Sequence, residues 1–394
     1  MAMPNAFGLH VSYAMKANGS RAILQIIASE GLGIDASSVH EATRAEAAGI
    51  DPKRMMLTTQ DVPLGKDRKE LERLLSLGMT YNICSPRQLE LIADFAKASQ
   101  ASLSMRVSTG VGSGETATRN TGDKYSSFGI GLWQLADVLA LAKARGLTIR
   151  QVHCHIGSGG DPELWRLNID RILEVAEKYF PDATTVNLGG GFKEARMPDE
   201  TPADILSLGR TAKAAFEAVF ARTGRKLKMS IEPGTYVVAN TGHVVTTVLD
   251  KKCSGPGGFD FLILDAGMET VTRPLLYGSR HPFYVVAKNG TLRSSEFALE
   301  NARAAARIKE QVIVGRCCES GDSLTIDEHG YPVPRAMAEP EIGDYIVVGG
   351  AGMTLVGYNS YAQAPEILVR ENGSLQVIRR RQTLEQLTQN EFGL

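Results

Sequence analysis

The sequence predicts an α/β protein, a (β/α)8 barrel followed by a mainly β domain, and three observations carry that expectation. From residue 11 to about residue 238, short apolar runs rich in β-branched residues alternate with longer segments whose apolar residues recur at helical spacing. The alternation repeats eight times, the number of units a closed parallel barrel requires. Beyond residue 245, strand-like runs follow one another with one long helical segment among them. An open doubly wound sheet is the alternative for the first part, because it is built from the same units. A chain of 394 residues exceeds what one core usually serves, so two domains are expected, 1–245 and 246–394.

The eight runs are "HVSYAMKA", "GLGIDASS", "RMMLTTQ", "TYNICSP", "SLSMRVS", "IRQVHCHIG", "TTVNLGGGF" and "KMSIEPGTYVV". Between them, segments such as "WQLADVLALAKARG" and "LWRLNIDRILEVAEKYF" are amphipathic and end near Gly or Pro, as helices do. In the second domain the strands are "HVVTTVLDKK", "FDFLILDAG", "HPFYVVA", "EQVIVGRC", "DYIVVGG" and "PEILVRENGSLQVIRRRQ". The last holds "ENG", a hairpin turn between apolar flanks. The segment "SEFALENARAAARIKE", 295–310, is expected as the long helix of this domain.

Composition narrows the function classes. With 43 Lys and Arg against 44 Asp and Glu, no global field draws the protein to nucleic acid or an anionic membrane. Five cysteines, odd in number and without the spacing of a zinc site or a disulfide framework, point to a reducing, cytoplasmic setting. The first residues do not read as a signal peptide, and no apolar run is long enough to span a bilayer.

The active site of such a barrel lies at the C-terminal ends of its strands, so the residues ending each run are the candidates. Lys16 ends the first run as a buried inward-pointing lysine, Asp35 and Ser37 the second, and Arg106 the fifth. His155 ends the sixth, Gly189, Gly190 and Gly191 the seventh, and Glu232 the eighth. Each has an inert alternative: a lysine reaching the rim, a glycine turn needed by the backbone, a core histidine, an ion-paired glutamate. Together they describe one cofactor. A buried ammonium is costly unless paired or covalently used, and a lysine can hold an aldehyde as a Schiff base. Three glycines bare their N–H groups to a phosphate, with Ser158 of "HIGSG" as a further donor. The His155 ring can stack on an aromatic cofactor, and Glu232 can keep a pyridine nitrogen protonated. That set is suited to pyridoxal phosphate.

At these residues the sequence resembles the pyridoxal-phosphate decarboxylases of the alanine-racemase fold, and within them the diaminopimelate decarboxylases. The resemblance runs from "YAMKAN" through "HIGSG", "NLGGGF", "EPG", "RPLLYG" and "CESGD" to "YNSYAQAPEIL". It implies that Lys16 carries the cofactor, that His155 stacks on it, and that Ser158, Gly189, Gly190 and Gly191 bind its phosphate. Glu232 then pairs with the pyridine nitrogen. It further implies a homodimer in which Cys318 and Glu319 act in the partner's site, the thiol handling a proton and the carboxylate meeting the substrate's distal ammonium. For Cys317 and Cys318 the inert alternative is a pair of small buried thiols. Arg273 and Tyr277 correspond to residues that hold a distal carboxylate, and Tyr358 to an aromatic near the substrate.

Three departures stand against the family pattern. Thr235 occupies the place of a second carboxylate-binding arginine after EPG. The segment "GGAGMTLVGYNS" lacks the tyrosine of a Gly-Ala-Tyr motif, and relatives carry a longer segment before the lysine strand. The expected activity is decarboxylation of a diamino acid, meso-diaminopimelate to lysine. The alternatives are another diamino or conjugated amino acid, or a non-catalytic pyridoxal-phosphate binder. A metal-dependent barrel hydrolase is a third: His153 and His155 share a strand face, but no clustered metal ligands accompany them and no metal is expected.

Overall fold

The computed structural model describes residues 3–112, 121–122, 126–157, 161–303, 307–327, 329–353, 363–383, 385–386 and 389. The chain divides into two compact units, Met1–Lys193 with Pro202–Val237, and Glu194–Thr201 with Val238–Leu394.

The first unit is a closed barrel. Strands β1 (Leu9–Ala14), β2 (Gly33–Ala36), β3 (Met55–Thr58), β4 (Thr80–Ile83) and β5 (Leu103–Ser108) follow in order. A two-residue strand β6 (Ile130–Gly131) adds to β5, then come β7 (Gln151–His153), β8 (Thr185–Asn187) and β9 (Lys228–Ile231). Neighbours run parallel, β5 pairs with both β4 and β7, and β9 returns to β1, so the open-sheet alternative falls. Helices α1 (Arg21–Ser29), α2 (Val39–Ala47), α3 (Gly65–Ser76), α4 (Pro86–Ser99), α5 (Leu132–Ala144), α6 (Pro162–Tyr179) and α7 (Ile205–Thr223) link the strands.

Helix starts are written in the sequence. Ser38 accepts from the Glu41 N–H, Ser85 from Gln88, Asp161 from Glu163 and Asp204 from Ser207, each satisfying a donor of the first turn that has no helical partner. Pro86 and Pro162 sit where the missing N–H costs nothing. The eighth run is shorter than expected: β9 stops at Ile231, and residues Thr235–Val238 form a helical turn instead.

What positions the site is the polar filling of the barrel. In parallel sheets, residues paired across strands point to one face, and Arg106 of β5 pairs with His153 of β7, His153 with Asn187 of β8, and Asn187 with Ser230 of β9. All four are buried. Asp35 of β2 and Asn82 of β4 are buried too. The core needed for stability lies on the other strand faces, where Ile34, Leu57, Ile83, Met105, Val152 and Val186 pack under the helices.

The second unit holds a seven-stranded sheet. Its strands are β10 (Val244–Cys253), β11 (Asp260–Leu264), β12 (Phe283–Val286), β13 (Leu292–Ser295), β14 (Ile308–Val314), β15 (Arg335–Ala338) and β16 (Tyr345–Val348), in the order β13-β12-β16-β10-β11-β14-β15. Val248, Leu262, Leu264, Phe283, Ile313 and Ile346 belong to its core. A separate hairpin of β17 (Glu366–Val369) and β18 (Leu375–Arg379) turns at the predicted "ENG". Of the long helix expected over 295–310, the described residues hold a 3-10 turn, Glu296–Ala298, followed by a helical stretch, Leu299–Arg303. Its expected first residue, Ser295, belongs to β13, Glu296 is drawn to Arg335 at 2.7 Å, and its intended end is taken by the pairing of Ile308, Lys309 and Glu310 with β15.

Candidate active site

Lys16 does not lie in β1. It follows in a 3-10 turn, Met15–Ala17, in which Met15 and Ala17 are buried and Lys16 is exposed. The expectation of a buried lysine is therefore corrected: β1 ends at Ala14, two residues before Lys16, and the 3-10 turn leaves the lysine exposed at the rim, where a cation costs little. It remains close enough to bear on the charges of Asp35, His153, His155 and Glu232.

Glu232 follows β9 and is 7% exposed. Both its oxygens are engaged. Asn187 Nδ2 donates to Oε1 at 2.7 Å, and His153 Nε2 lies 3.1 Å from Oε2. Burial pushes the carboxyl up to about 7, against the Asn187 hydrogen bond and the charges of Lys16 and Arg106, which favour ionisation. Asp35, fully enclosed, is raised well above the carboxylate range by burial and by the like charge of Glu232. Arg106 stacks over Phe128 at 4.6 Å.

The loops after β7 and β8 are built on each other. The Gly190 N–H donates to His155 Nδ1 at 3.0 Å, so the neutral ring carries its proton on Nε2. Burial, then the charges of Lys16 and Arg106, hold His155 well below the usual histidine range. The glycines have structural reasons of their own. A Cβ at Gly189 would lie 2.5 Å from the Cys154 carbonyl, one at Gly190 2.4 Å from that of Glu232, and one at Gly191 2.3 Å from that of Gly157. Ser158 lies outside the described residues.

In the β unit, Arg273 is buried, its guanidinium over the Tyr277 ring at 5.2 Å, with Nη2 donating to Ser279 at 3.3 Å. The adjacent cysteines part company. Cys317 is buried, Sγ 3.5 Å from Glu269, its thiol pushed up to about 12 by burial and by Glu269 and Asp322. Cys318 is exposed, so the inert alternative of two buried thiols fails for it. Glu319 is exposed beside it, accepting from Ser320 Oγ at 3.1 Å. The loop carrying both is tied down by Asp322, whose carboxylate accepts from the N–H groups of Met268 and Cys317 at 2.6 and 2.7 Å. Glu269, Cys317 and Asp322 bring ligand-type atoms within 4.8 Å of one another, with Arg316 bonded to Glu269 at 3.2 Å. Tyr358 lies outside the described residues. The missing Gly-Ala-Tyr tyrosine has a steric correlate: a Cβ on Gly352 would meet the Val238 carbonyl at 1.8 Å.

Comparison with known proteins decides what this constellation belongs to. The pyridoxal binding domain of the pyridoxal-dependent decarboxylases matches residues 2–239. The chain belongs to that family. It is 32% identical over 384 residues to the diaminopimelate decarboxylase of Escherichia coli K12, covering 96% of this chain and 87% of the other. It is 32% identical over 392 residues to that of Methanothermobacter thermautotrophicus, covering 97% and 84%. A crystal structure of diaminopimelate decarboxylase superposes with a TM-score of 0.85 at 30% identity over 97% of this chain and 88% of that one. The Helicobacter pylori diaminopimelate decarboxylase, solved with L-lysine, gives 0.80 at 26% over 99% and 91%.

This pyridoxal-dependent decarboxylase has barrel residues that fit pyridoxal phosphate. An accessible amine stands at the rim, a turn of three glycines carries no side chains, and the Glu232 carboxylate lies against Asn187 Nδ2 and His153 Nε2. Sequence reasoning missed Asn187 and took His153 only as a metal candidate. The signals were present: Asn187 lies two residues before the glycines, and His153 two before His155, on the same strand face. His153 faces Glu232, and the match to the pyridoxal binding domain over residues 2–239 displaces the metal-hydrolase alternative.

Proposed function

We propose that this enzyme decarboxylates meso-diaminopimelate to lysine, in the cytoplasm, as a step of lysine biosynthesis and as a homodimer with shared sites. The observation that carries the reading is the convergence of Lys16, His155, Glu232 and the glycine turn on one barrel, in a chain 32% identical over 384 residues to an enzyme of that name. No described helix is long and apolar enough to cross a membrane, in keeping with the soluble setting.

Bound pyridoxal phosphate supplies an electron sink for the bond to the departing carboxylate. Lys16 would hold the cofactor through its side-chain amine. Glu232, ionised, would pair with the pyridine nitrogen and keep a proton there. His155, neutral and fixed through Nδ1, would support the cofactor ring, and Ser158 with Gly189, Gly190 and Gly191 would receive its phosphate. Carbon dioxide leaves, and a proton takes its place on the α-carbon. We assign the handling of that proton to Cys318 Sγ from the partner copy, in keeping with its exposure. Arg273 and Tyr277 receive the distal carboxylate, Glu319 the distal ammonium, and Tyr358 borders the substrate. Thr235 supplies no second cation, which weakens carboxylate binding by about 1.5–3 kcal/mol relative to an arginine.

Incubation of the purified enzyme and pyridoxal phosphate with a panel of amino acids, reading carbon dioxide and product mass, tests the reading. It predicts lysine from meso-diaminopimelate, and a tighter KM in Thr235→Arg. Preferential turnover of a monocarboxylate diamino acid or a bulkier conjugate, with Thr235→Arg inactive, assigns the site to another substrate.

A further inference from the structure

We propose that Asn187 and His153 are positioning residues, a two-sided clamp that holds the Glu232 carboxylate fixed and ionised. The inference rests on the reading that Glu232 serves the pyridine nitrogen. Asn187 ends β8, and its amide can face only one way: Oδ1 accepts the Gly189 N–H at 2.9 Å, so Nδ2 must point to Glu232, 2.7 Å away. One side chain thus ties the glycine turn to the acid. On the other side His153 Nε2 stands 3.1 Å from Oε2, and both clamp residues are fully buried.

Energetics give the clamp its purpose. Burial alone favours a neutral carboxyl, and a neutral acid cannot keep a pyridine protonated. Donors on both oxygens oppose burial, because they favour the charged form. His153 is itself held well below the histidine range by burial, Arg106 and Lys16, so it serves as a neutral donor and not as a counter-ion. The other groups facing Glu232 are Lys16 after β1, His10 on β1, Asp35 on β2 and Arg106 on β5, with His155 across Gly190. The thiols Cys84 and Cys154, kept neutral by burial, complete the set. Of all these, only Asn187 and His153 touch the carboxylate oxygens among the described residues.

The test needs no cofactor. The ionised-carboxylate infrared band of Glu232 is isolated by subtracting the Glu232→Gln spectrum in each background and followed against pH. Asn187→Asp keeps an acceptor for Gly189 but replaces the donor with an oxygen, and His153→Phe keeps a ring without a donor. Each should raise the Glu232 midpoint by about one unit or more, a tenfold change, while His153→Gln, which restores an N–H, should stay near wild type. An unmoved midpoint in any folded donorless variant overturns the clamp. Wild type gives an independent reading that survives a failure of the variants to fold. The 15N shifts of His153 should report the neutral ring protonated on Nε2 from about pH 6 to about 8, and an Nδ1-protonated ring or an imidazolium overturns the assignment. If wild type fails to bind pyridoxal phosphate, the parent reading falls, while these titrations still decide the clamp.

Discussion

Glu232 concentrates the chemistry of the barrel into one side chain. It is enclosed, it has Asn187 Nδ2 and His153 Nε2 against its two oxygens, and burial alone would leave it protonated near neutral pH. Glu232→Gln keeps the shape and the contacts with Asn187 but cannot carry charge. Its holoenzyme is expected to retain cofactor and lose on the order of a hundredfold or more in kcat with little change in KM, because the charge is used as the bond to the carboxylate breaks. Steady-state kinetics with cofactor occupancy measured alongside decide this, and wild-type turnover removes the electron-sink role. The candidates Lys16, His155 and Glu232 could be picked out in the sequence because they follow strand ends, where a barrel puts its chemistry. Asn187 was not, because an asparagine ahead of glycines reads as an ordinary turn residue. Its partner lies 45 residues away in sequence, a closeness that only the folded barrel creates.

At the scale of elements, the barrel was more legible than the β unit, for a physical reason. Each βα unit is marked twice, by an apolar run and by an amphipathic helix, four of which carry a side-chain cap, whereas β13 and β15 are short strands made by their partners. β15 reads "RAMA", with weak strand propensity, and exists through its pairing with β14. The helical period of 295–310 is real in sequence, but pairing of its ends into the sheet overrides it. One sheet residue yields a pH prediction. His281, which precedes β12, is 1% exposed; Nδ1 donates to the Gly349 carbonyl at 2.8 Å, and Nε2 has no partner. Burial and the charges of Arg196, Arg273 and Arg335 lower it from 6.5 to about 4. The unfolded chain therefore takes up the proton first. Stability is fully present above the unfolded value and falls by roughly 3 kcal/mol as pH drops from 6.5 to about 4. His281→Gln should flatten the pH dependence of denaturant unfolding by about that amount, and an unchanged slope contradicts the assignment.

At the scale of the whole molecule, the proposed reaction draws on residues of both units and on two copies of the chain. Mixing inactive Lys16→Ala with inactive Cys318→Ala protein should restore activity, since a mixed dimer has one site with both native residues. With subunit exchange demonstrated, no recovery places Cys318 outside the partner's site. Underneath this lies the central claim, that among all the lysines of the chain the exposed Lys16 of the turn after β1 holds the cofactor. Borohydride reduction of the holoenzyme followed by peptide mass mapping tests it most directly. The account predicts a pyridoxyl group on Lys16 and its loss in Lys16→Ala, and a label on any other lysine, or none, contradicts it.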